Sequence, residues 1–252
     1  KPNSMKNTFY IMCICVCTTL LAQCQSIPTT NIMEDEVYIK CFPTGIYNSN
    51  CYVVSKDGLG FMVDAGAPDT TVLQYIRENN IKIKYIFCTH SHIDHVLFAP
   101  EAKQYTGGKI VLHANDEDHY KYYTSERIGE WMKSGQVTEQ QMPYIEKFIH
   151  IKYDTLVHGD EEFAIGKLKV KILYTPGHSK GSMCIFLNEK YLFTGDAVFN
   201  DNVGNAEISS GNISDLEKYI KEEILVLSDD VVLFQGHGGK MLLKDLLPKI
   251  SF

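Results

Sequence analysis

The feature that most restricts the fold of this chain is a recurrence: apolar runs of strand length end, one after another, in a residue able to bind a metal. Tyr85-Ile86-Phe87-Cys88 is built of β-branched and aromatic side chains and opens directly onto Thr89-His90-Ser91-His92-Ile93-Asp94-His95. Lys167 to Tyr174 leads to Thr175-Pro176-Gly177-His178, Tyr191 to Phe193 leads to Thr194-Gly195-Asp196, and Val231 to Phe234 leads to Gln235-Gly236-His237-Gly238. In layered α/β proteins, sites gather in the loops beyond strand ends. Four such loops at one sheet edge would bring His90, His92, Asp94, His95, His178, Asp196 and His237 together.

Neutral imidazole and carboxylate are the ligands that borderline divalent metals take. Three histidines and an aspartate within six positions are too dense for a merely solvated loop. Sorted by what two metals would need, His90, His92 and His178 make a three-nitrogen site. Asp94, His95 and His237 make a second, and Asp196 can give one carboxylate oxygen to each. The expected cofactor is therefore a pair of divalent cations, zinc in the first place, with iron and manganese acceptable to the same ligands. Such a pair lowers the pKa of a shared water to about 7 and polarises a carbonyl or phosphoryl oxygen. Gly177, Gly195, Gly236 and Gly238 flank the later ligands, allowing tight turns there.

The remaining chain reads as one domain over residues 37–252. Val37 to Phe42 and Cys51 to Ser55 form a strand pair around Pro43-Thr44-Gly45 and Asn48-Ser49-Asn50, and Gly60 to Val63 runs into Asp64-Ala65-Gly66. Asp69 caps a helix bearing Val72, Leu73 and Ile76, which stops near Asn79-Asn80. A short helix over Ala99 to Tyr105 and a strand over Lys109 to His113 follow. The stretch at about 115–150 is charged and aromatic, with His119, Tyr120, Tyr122, Tyr123, Trp131 and Tyr144. It reads as an insertion of two or three short helices, either a wall of the substrate site or a peripheral decoration. Strands resume with Glu162 to Ile165, and in the next one Leu168, Val170 and Ile172 alternate with lysines. Met183 to Leu187 precedes the Tyr191 strand. Ser214 with Glu217 reads as a capping box opening a helix, and a closing amphipathic segment holds Leu242, Leu243, Leu246 and Leu247.

Residues 1–24 read as an export signal: a basic Lys6 followed by a mostly apolar run to Ala22. Leu21-Ala22-Gln23-Cys24 resembles a bacterial lipobox, which makes Cys24 a candidate for lipidation, and residues 25–36 read as a tether. The expected location is the periplasm, or the cell envelope through a lipid on Cys24. Loss of Lys1 and Lys6 with the signal takes the formal charge from −7 to −9. That sign excludes nucleic acid, whose backbone needs a basic footprint, and an anionic membrane surface. Only a small-molecule substrate is expected as a partner. Beyond the signal, Cys41, Cys51, Cys88 and Cys184 form no CxxC pair, which excludes a zinc-finger or dithiol redox motif. Cys41 and Cys51 are left open as a disulfide, while Cys88 and Cys184 read as buried hydrophobes. His113, His119, His150 and His158 read as packing or surface histidines and Lys240 as a solvated lysine. No nucleophile elbow or phosphate-cradling glycine loop competes with the metal reading.

His90-Ser91-His92-Ile93-Asp94-His95, Thr175-Pro176-Gly177-His178, Thr194-Gly195-Asp196 and Gly236-His237-Gly238 resemble, in order, the motif series of the metallo-β-lactamase fold hydrolases. Asp64-Ala65-Gly66 resembles that family's early Asp-Gly motif, in which the acid supports the metal loop. The resemblance implies an α/β fold of the αββα sandwich type and the seven metal ligands named above. Thr194-Gly195-Asp196-Ala197-Val198-Phe199 is similar to the glyoxalase-II-like branch. Gly204-Asn205 departs from the Gly-Arg usual there, and only 15 residues follow His237, short of that branch's glutathione-binding helical domain. The implied activity is hydrolysis of an ester, thioester or lactone by a hydroxide bridging two metal ions, with Asp94 as the catalytic acid that orients it or carries its proton. A mononuclear iron persulfide dioxygenase, using two histidines and Asp196 on the same scaffold, is the alternative, and a periplasmic β-lactam hydrolase a further one.

Overall fold

The computed structural model describes residues 37–250, apart from 44–45, 68, 136, 200–201 and 207–210. The expected leader over 1–24, Cys24, the tether 25–36 and the side chains of His119 and Tyr120 lie outside the described residues. Two six-stranded sheets carry the fold. The first contains β1 (Tyr38–Pro43), β2 (Asn50–Lys56), β3 (Leu59–Val63), β4 (Lys82–Phe87), β5 (Lys109–His113) and β6 (Thr155–Val157), in that spatial order. The second contains β7 (Glu162–Ile165), β8 (Leu168–Tyr174), β9 (Met183–Leu187), β10 (Tyr191–Gly195), and, beyond the small ribbon β11 (Val198–Phe199) and β12 (Asn202–Val203), β13 (Val232–Gln235) and β14 (Lys240–Leu242). Its order is β14-β13-β10-β9-β8-β7.

Strand alternation explains the layering. Tyr52, Val54, Phe61, Val63 and Phe87 face Leu168, Val170, Ile172, Ile185 and Phe193 across one apolar core between the sheets. On β8 the intervening Lys169 and Lys171 stay exposed, as the alternation predicts. The opposite face of the first sheet, with Val53, Met62, Ile86 and Ile110, is covered by α1 (Thr70–Glu78), α3 (Ala99–Thr106), α4 (Ser125–Ser134) and α5 (Met142–Phe148); the short α2 (Ile93–Val96) lies in the histidine loop. The outer face of the second sheet packs Leu192 and Leu233 under α6 (Ile213–Tyr219) and α7 (Leu243–Leu246). Helices, sheet, sheet, helices: this is the αββα sandwich.

β3, β4, β5 and β6 run parallel, as do β10 and β13, while β8 and β10 each pair antiparallel with β9. The metal-type residues therefore follow the carboxyl ends of strands of common sense within each sheet. Asp69 caps α1 by accepting from the Thr71 amide. One expectation changes and three details are added. The cap of α6 is Asn212, which accepts from the amides of Ser214 and Asp215, so Ser214 is not the cap. β6 and β14, of three residues each, were too short to show a period. The closing helix is only one turn, burying Leu243 and Leu246 and leaving Leu247 exposed. Cys41 and Cys51 sit opposite Tyr52 and Phe42, so they face opposite sides of the sheet and are free thiols. Among the described residues no helix is long and apolar enough to cross a membrane.

Candidate metal centre

All seven predicted ligands are buried and meet at one rim of the sandwich. His90 Nε2 lies 3.0 Å from His92 Nδ1, which lies 2.9 Å from His178 Nε2. Beside this trio, Asp94 Oδ2 lies 3.3 Å from His95 Nε2 and 3.2 Å from His237 Nε2, and the two nitrogens are 3.3 Å apart. Asp196 stands between: Oδ1 is 3.4 Å from His95 Nε2, and Oδ2 is 3.6 Å from His178 Nε2 and 3.5 Å from His237 Nε2. Those separations match the edges, roughly 3.3 Å, of a tetrahedron with metal–ligand bonds of about 2.0 Å. The groups His90/His92/His178, Asp94/His95/His237 and His90/His95/Asp196 each keep their ligand atoms within 4.8 Å of one another.

The far side of four of the five imidazoles fixes the tautomer. His95 Nδ1 donates to Asp64 Oδ2 at 2.8 Å. Asp64 also accepts from the Thr89 amide at 2.8 Å and the Thr89 hydroxyl at 2.9 Å, and that hydroxyl accepts from His90 Nδ1 at 3.0 Å. One buried carboxylate thus orients a ligand of each trio, the supporting role expected for the Asp64 motif. His178 Nδ1 donates to the Asn205 carbonyl, and His237 Nδ1 to the Tyr47 carbonyl at 3.2 Å. Because Asn205 acts through its backbone, its side chain is immaterial to this bond. Gly204 beside it is required, since a Cβ there would stand 1.8 Å from the Asp196 carbonyl oxygen.

Two supports escaped the sequence reading. Asp116, buried just past the end of β5, accepts from the Ser91 amide at 3.1 Å, the Ser179 hydroxyl at 2.7 Å and the Gly181 amide at 2.7 Å. It ties the His90 loop to the His178 loop. The signal was available: Asp116 obeys the same strand-end rule as the ligands. We expect Asp116→Ala to weaken metal affinity at the three-histidine site about 10- to 100-fold, with Asp116→Asn recovering part of it, as competition with a chromophoric chelator would show. The second support is Ser49-Asn50. The Ser49 hydroxyl donates to the Asp94 carbonyl, and Asn50 Nδ2 donates to the Gln235 and Gly238 carbonyls at 3.0 Å each, holding the His237 loop.

Electrostatics test whether a cation fits. Burial pushes the Asp94 carboxyl upward, but His95 and His237 outweigh it and hold it well below the usual carboxylate range. Burial likewise opposes ionisation of Asp196, and His95, His178 and His237 reverse it. For His95 burial favours the neutral ring, yet Asp94, Asp196 and Asp64 raise it well above an ordinary imidazole. A protonated His95 thus supplies, in the metal-free chain, the positive charge that three carboxylates require. Asp196 Oδ1 is buried without a hydrogen bond, and three nitrogens converge where at most some could donate. Both observations fit metal ligation. In the metal-free fold the His95 contribution to stability is present below the usual imidazole pKa and is lost as pH rises through the raised value. The Asp94 and Asp196 contributions are present above the usual carboxylate range and are lost as pH falls. Metal uptake must expel the His95 proton, so apparent affinity should rise with pH and binding should release protons; calorimetry in buffers of differing ionisation enthalpy measures this directly.

Over the centre lies a cleft of about 400 Å³, with His92, Asp94, His178, Asp196 and His237 at its base. Tyr47, Tyr122, Tyr123, Trp131, Val137 and Phe199 are in its walls, so the insertion at 115–150 is a wall of the site. The Tyr123 hydroxyl accepts from the Ile93 amide at 3.0 Å, joining that wall to the histidine loop. The structure does not bring His113, His150 or His158 to the centre: His113 is buried and stacks on Tyr174, and His150, His158 and Lys240 are exposed.

Residues 44–237 match the family described as the metallo-beta-lactamase superfamily. The chain is 27% identical over 197 residues to the probable metallo-hydrolase YqgX of Bacillus subtilis, covering 78% of this chain and 88% of that protein. It is 27% identical over 203 residues to the hydroxyacylglutathione hydrolase GloC of Haemophilus influenzae, covering 80% and 91%. The BLEG-1 B3 metallo-beta-lactamase structure superposes with a TM-score of 0.70 at 22% identity, covering 83% of this chain and 96% of that one. A family match across most of the domain, on a sandwich whose strand ends gather the expected ligands, leads to one conclusion: this chain belongs to the metallo-β-lactamase superfamily.

Proposed function

We propose that the protein is an exported hydrolase that opens an ester, thioester or lactone at a two-metal centre. The observation that carries this is the completeness of the second trio: Asp94, His95 and His237 converge beside His90, His92 and His178, with Asp196 facing both. His90, His92 and His178 would hold one cation and Asp94, His95 and His237 the other. When bound, such a pair supplies an ionised water at neutral pH and polarises a carbonyl oxygen. The chain's own groups do the rest. Asp94 lines the cleft as a carboxylate kept ionised, placed to orient a nucleophile or take up its proton. The aromatic walls exclude bulk water, and Asp64 and Asp116 keep the ligand loops from drifting. The two named relatives, a probable metallo-hydrolase and a hydroxyacylglutathione hydrolase, support hydrolysis as the reaction. The apolar run after Lys6 supports export, and cell fractionation tests it.

The deciding experiment is metal content per chain after mild purification, paired with a substrate panel. Two zinc ions with turnover of a simple ester, thioester or lactone is the expected result. One iron with oxygen uptake on a persulfide would establish the dioxygenase instead, and turnover confined to a β-lactam would make the protein a lactamase.

A further inference from the structure

The cleft walls have a chemistry of their own. Tyr47, Ile93, Tyr122, Trp131, Val137 and Phe199 present aromatic and aliphatic surface, and the described lining contains no lysine or arginine. None is hidden by the undescribed internal positions either. By sequence, 44–45, 68, 136, 200–201 and 207–210 add only the acids Asp201 and Glu207. Arg127 on α4 stacks on the wall residue Tyr122, its guanidinium 3.5 Å from that ring's centre, and is not itself part of the lining. The walls are also braced before any ligand arrives. Tyr123 packs edge-on against Trp131 and the fully buried Phe148, with ring centres 5.6 and 5.0 Å apart. Phe199 lies 5.0 Å from the His237 ring, so the apolar surface begins directly beside the ligands. A carboxylate entering these walls would lose its water and meet no cationic side chain in the described lining, which is costly. A methylene entering them gains about what it gains in any apolar pocket. A cleft of about 400 Å³ is at the small end of ligand pockets.

We propose that the substrate is uncharged and carries an apolar chain or aryl group, which Tyr122, Trp131, Val137 and Phe199 receive while the scissile carbonyl lies over the metal ligands. This rests on the hydrolase reading and narrows it: a thioester whose thiol part bears carboxylates is a poor substrate for these walls.

Trp131 is the single tryptophan of the chain and stands in the proposed wall, so its fluorescence reports occupancy without turnover. With the metal-loaded full chain, neutral 4-nitroanisole should quench it saturably. Phe199→Asp should weaken that binding at least about tenfold, and Phe199→Leu should retain it, which separates the effect of charge from damage to the fold. In kinetics, two series are compared: p-nitrophenyl esters of lengthening acyl chain, and acetates of lengthening alcohols. In at least one, kcat/KM should climb about threefold per methylene over the first few, and Trp131→Ala should flatten the climb. The monoester of adipate should fall at least about tenfold below the hexanoate ester. Absence of quenching, two flat series, or preference for the adipate monoester each overturns the proposal. Selective quenching with no ester, thioester or lactone of the panel cleaved would overturn the hydrolase reading and leave the apolar cleft standing.

Discussion

Asp196→Asn is expected to cut kcat/KM on a simple ester about a thousandfold and to lower the bound metal below two per chain. Asparagine keeps the shape, but its amide nitrogen cannot ligate, and among the described residues no other carboxylate faces both His95 and the pair His178 and His237 at 3.4–3.6 Å. Loss of several kcal/mol of charge stabilisation corresponds to about three powers of ten in rate. The fold should persist. The backbone around position 196 is held independently, by the Gly236 amide donating to the Gly195 carbonyl at 2.8 Å and the Gly204 amide to the Ala197 carbonyl at 3.0 Å. Elemental analysis alongside steady-state kinetics checks both parts; an Asp196→Asn protein with two metals and full turnover would refute the site.

Gly66→Ala should be as damaging from farther away. The segment after β3 runs directly behind the histidine loop: the Ala65 amide donates to the His95 carbonyl, and the Phe98 amide to the Ala65 carbonyl, each at 2.7 Å. A Cβ on residue 66 would lie 1.5 Å from the Asp94 carbonyl oxygen and 2.8 Å from the Ser49 hydroxyl. The Asp94 backbone on one side and the Ser49 hydroxyl on the other leave nowhere for it to go, so the loop bearing Asp94 and His95 must shift. Displacing ligands by about 1 Å costs on the order of a hundredfold in activity, and here two ligands of one trio move together. We expect metal to be lost, activity to fall by at least that factor, and thermal stability to drop. Wild-type metal content in Gly66→Ala would mean the two segments are not packed this closely.

The ligands were legible because their residue types are rare in combination and each follows an apolar run. The supports were harder to read. Asp116 obeys the same strand-end rule, yet a single acid in Asn115-Asp116-Glu117-Asp118 looks like any solvated turn until Ser91, Ser179 and Gly181 are seen to donate to it. Ser49-Asn50 looks like turn chemistry, which it also is; Tyr47 and Asn48 adopt left-handed backbone there. Its hold on the Asp94 and His237 loops depends on partners 45 to 188 positions away. Ser214 misled because a capping box is a local pattern, whereas the competing cap, Asn212, sits two residues earlier with its amide held by the Gly177 carbonyl.

What the sequence determined by itself was the alternation that builds two sheets and the placing of ligand types at strand ends, because hydrophobic period and residue chemistry are local properties. Only the tertiary structure decided that the insertion walls the site instead of decorating it, that Cys41 and Cys51 face apart, and that Asp196 stands between both trios. Each of those is a matter of register and packing between segments distant in sequence, and no local pattern encodes which faces will meet.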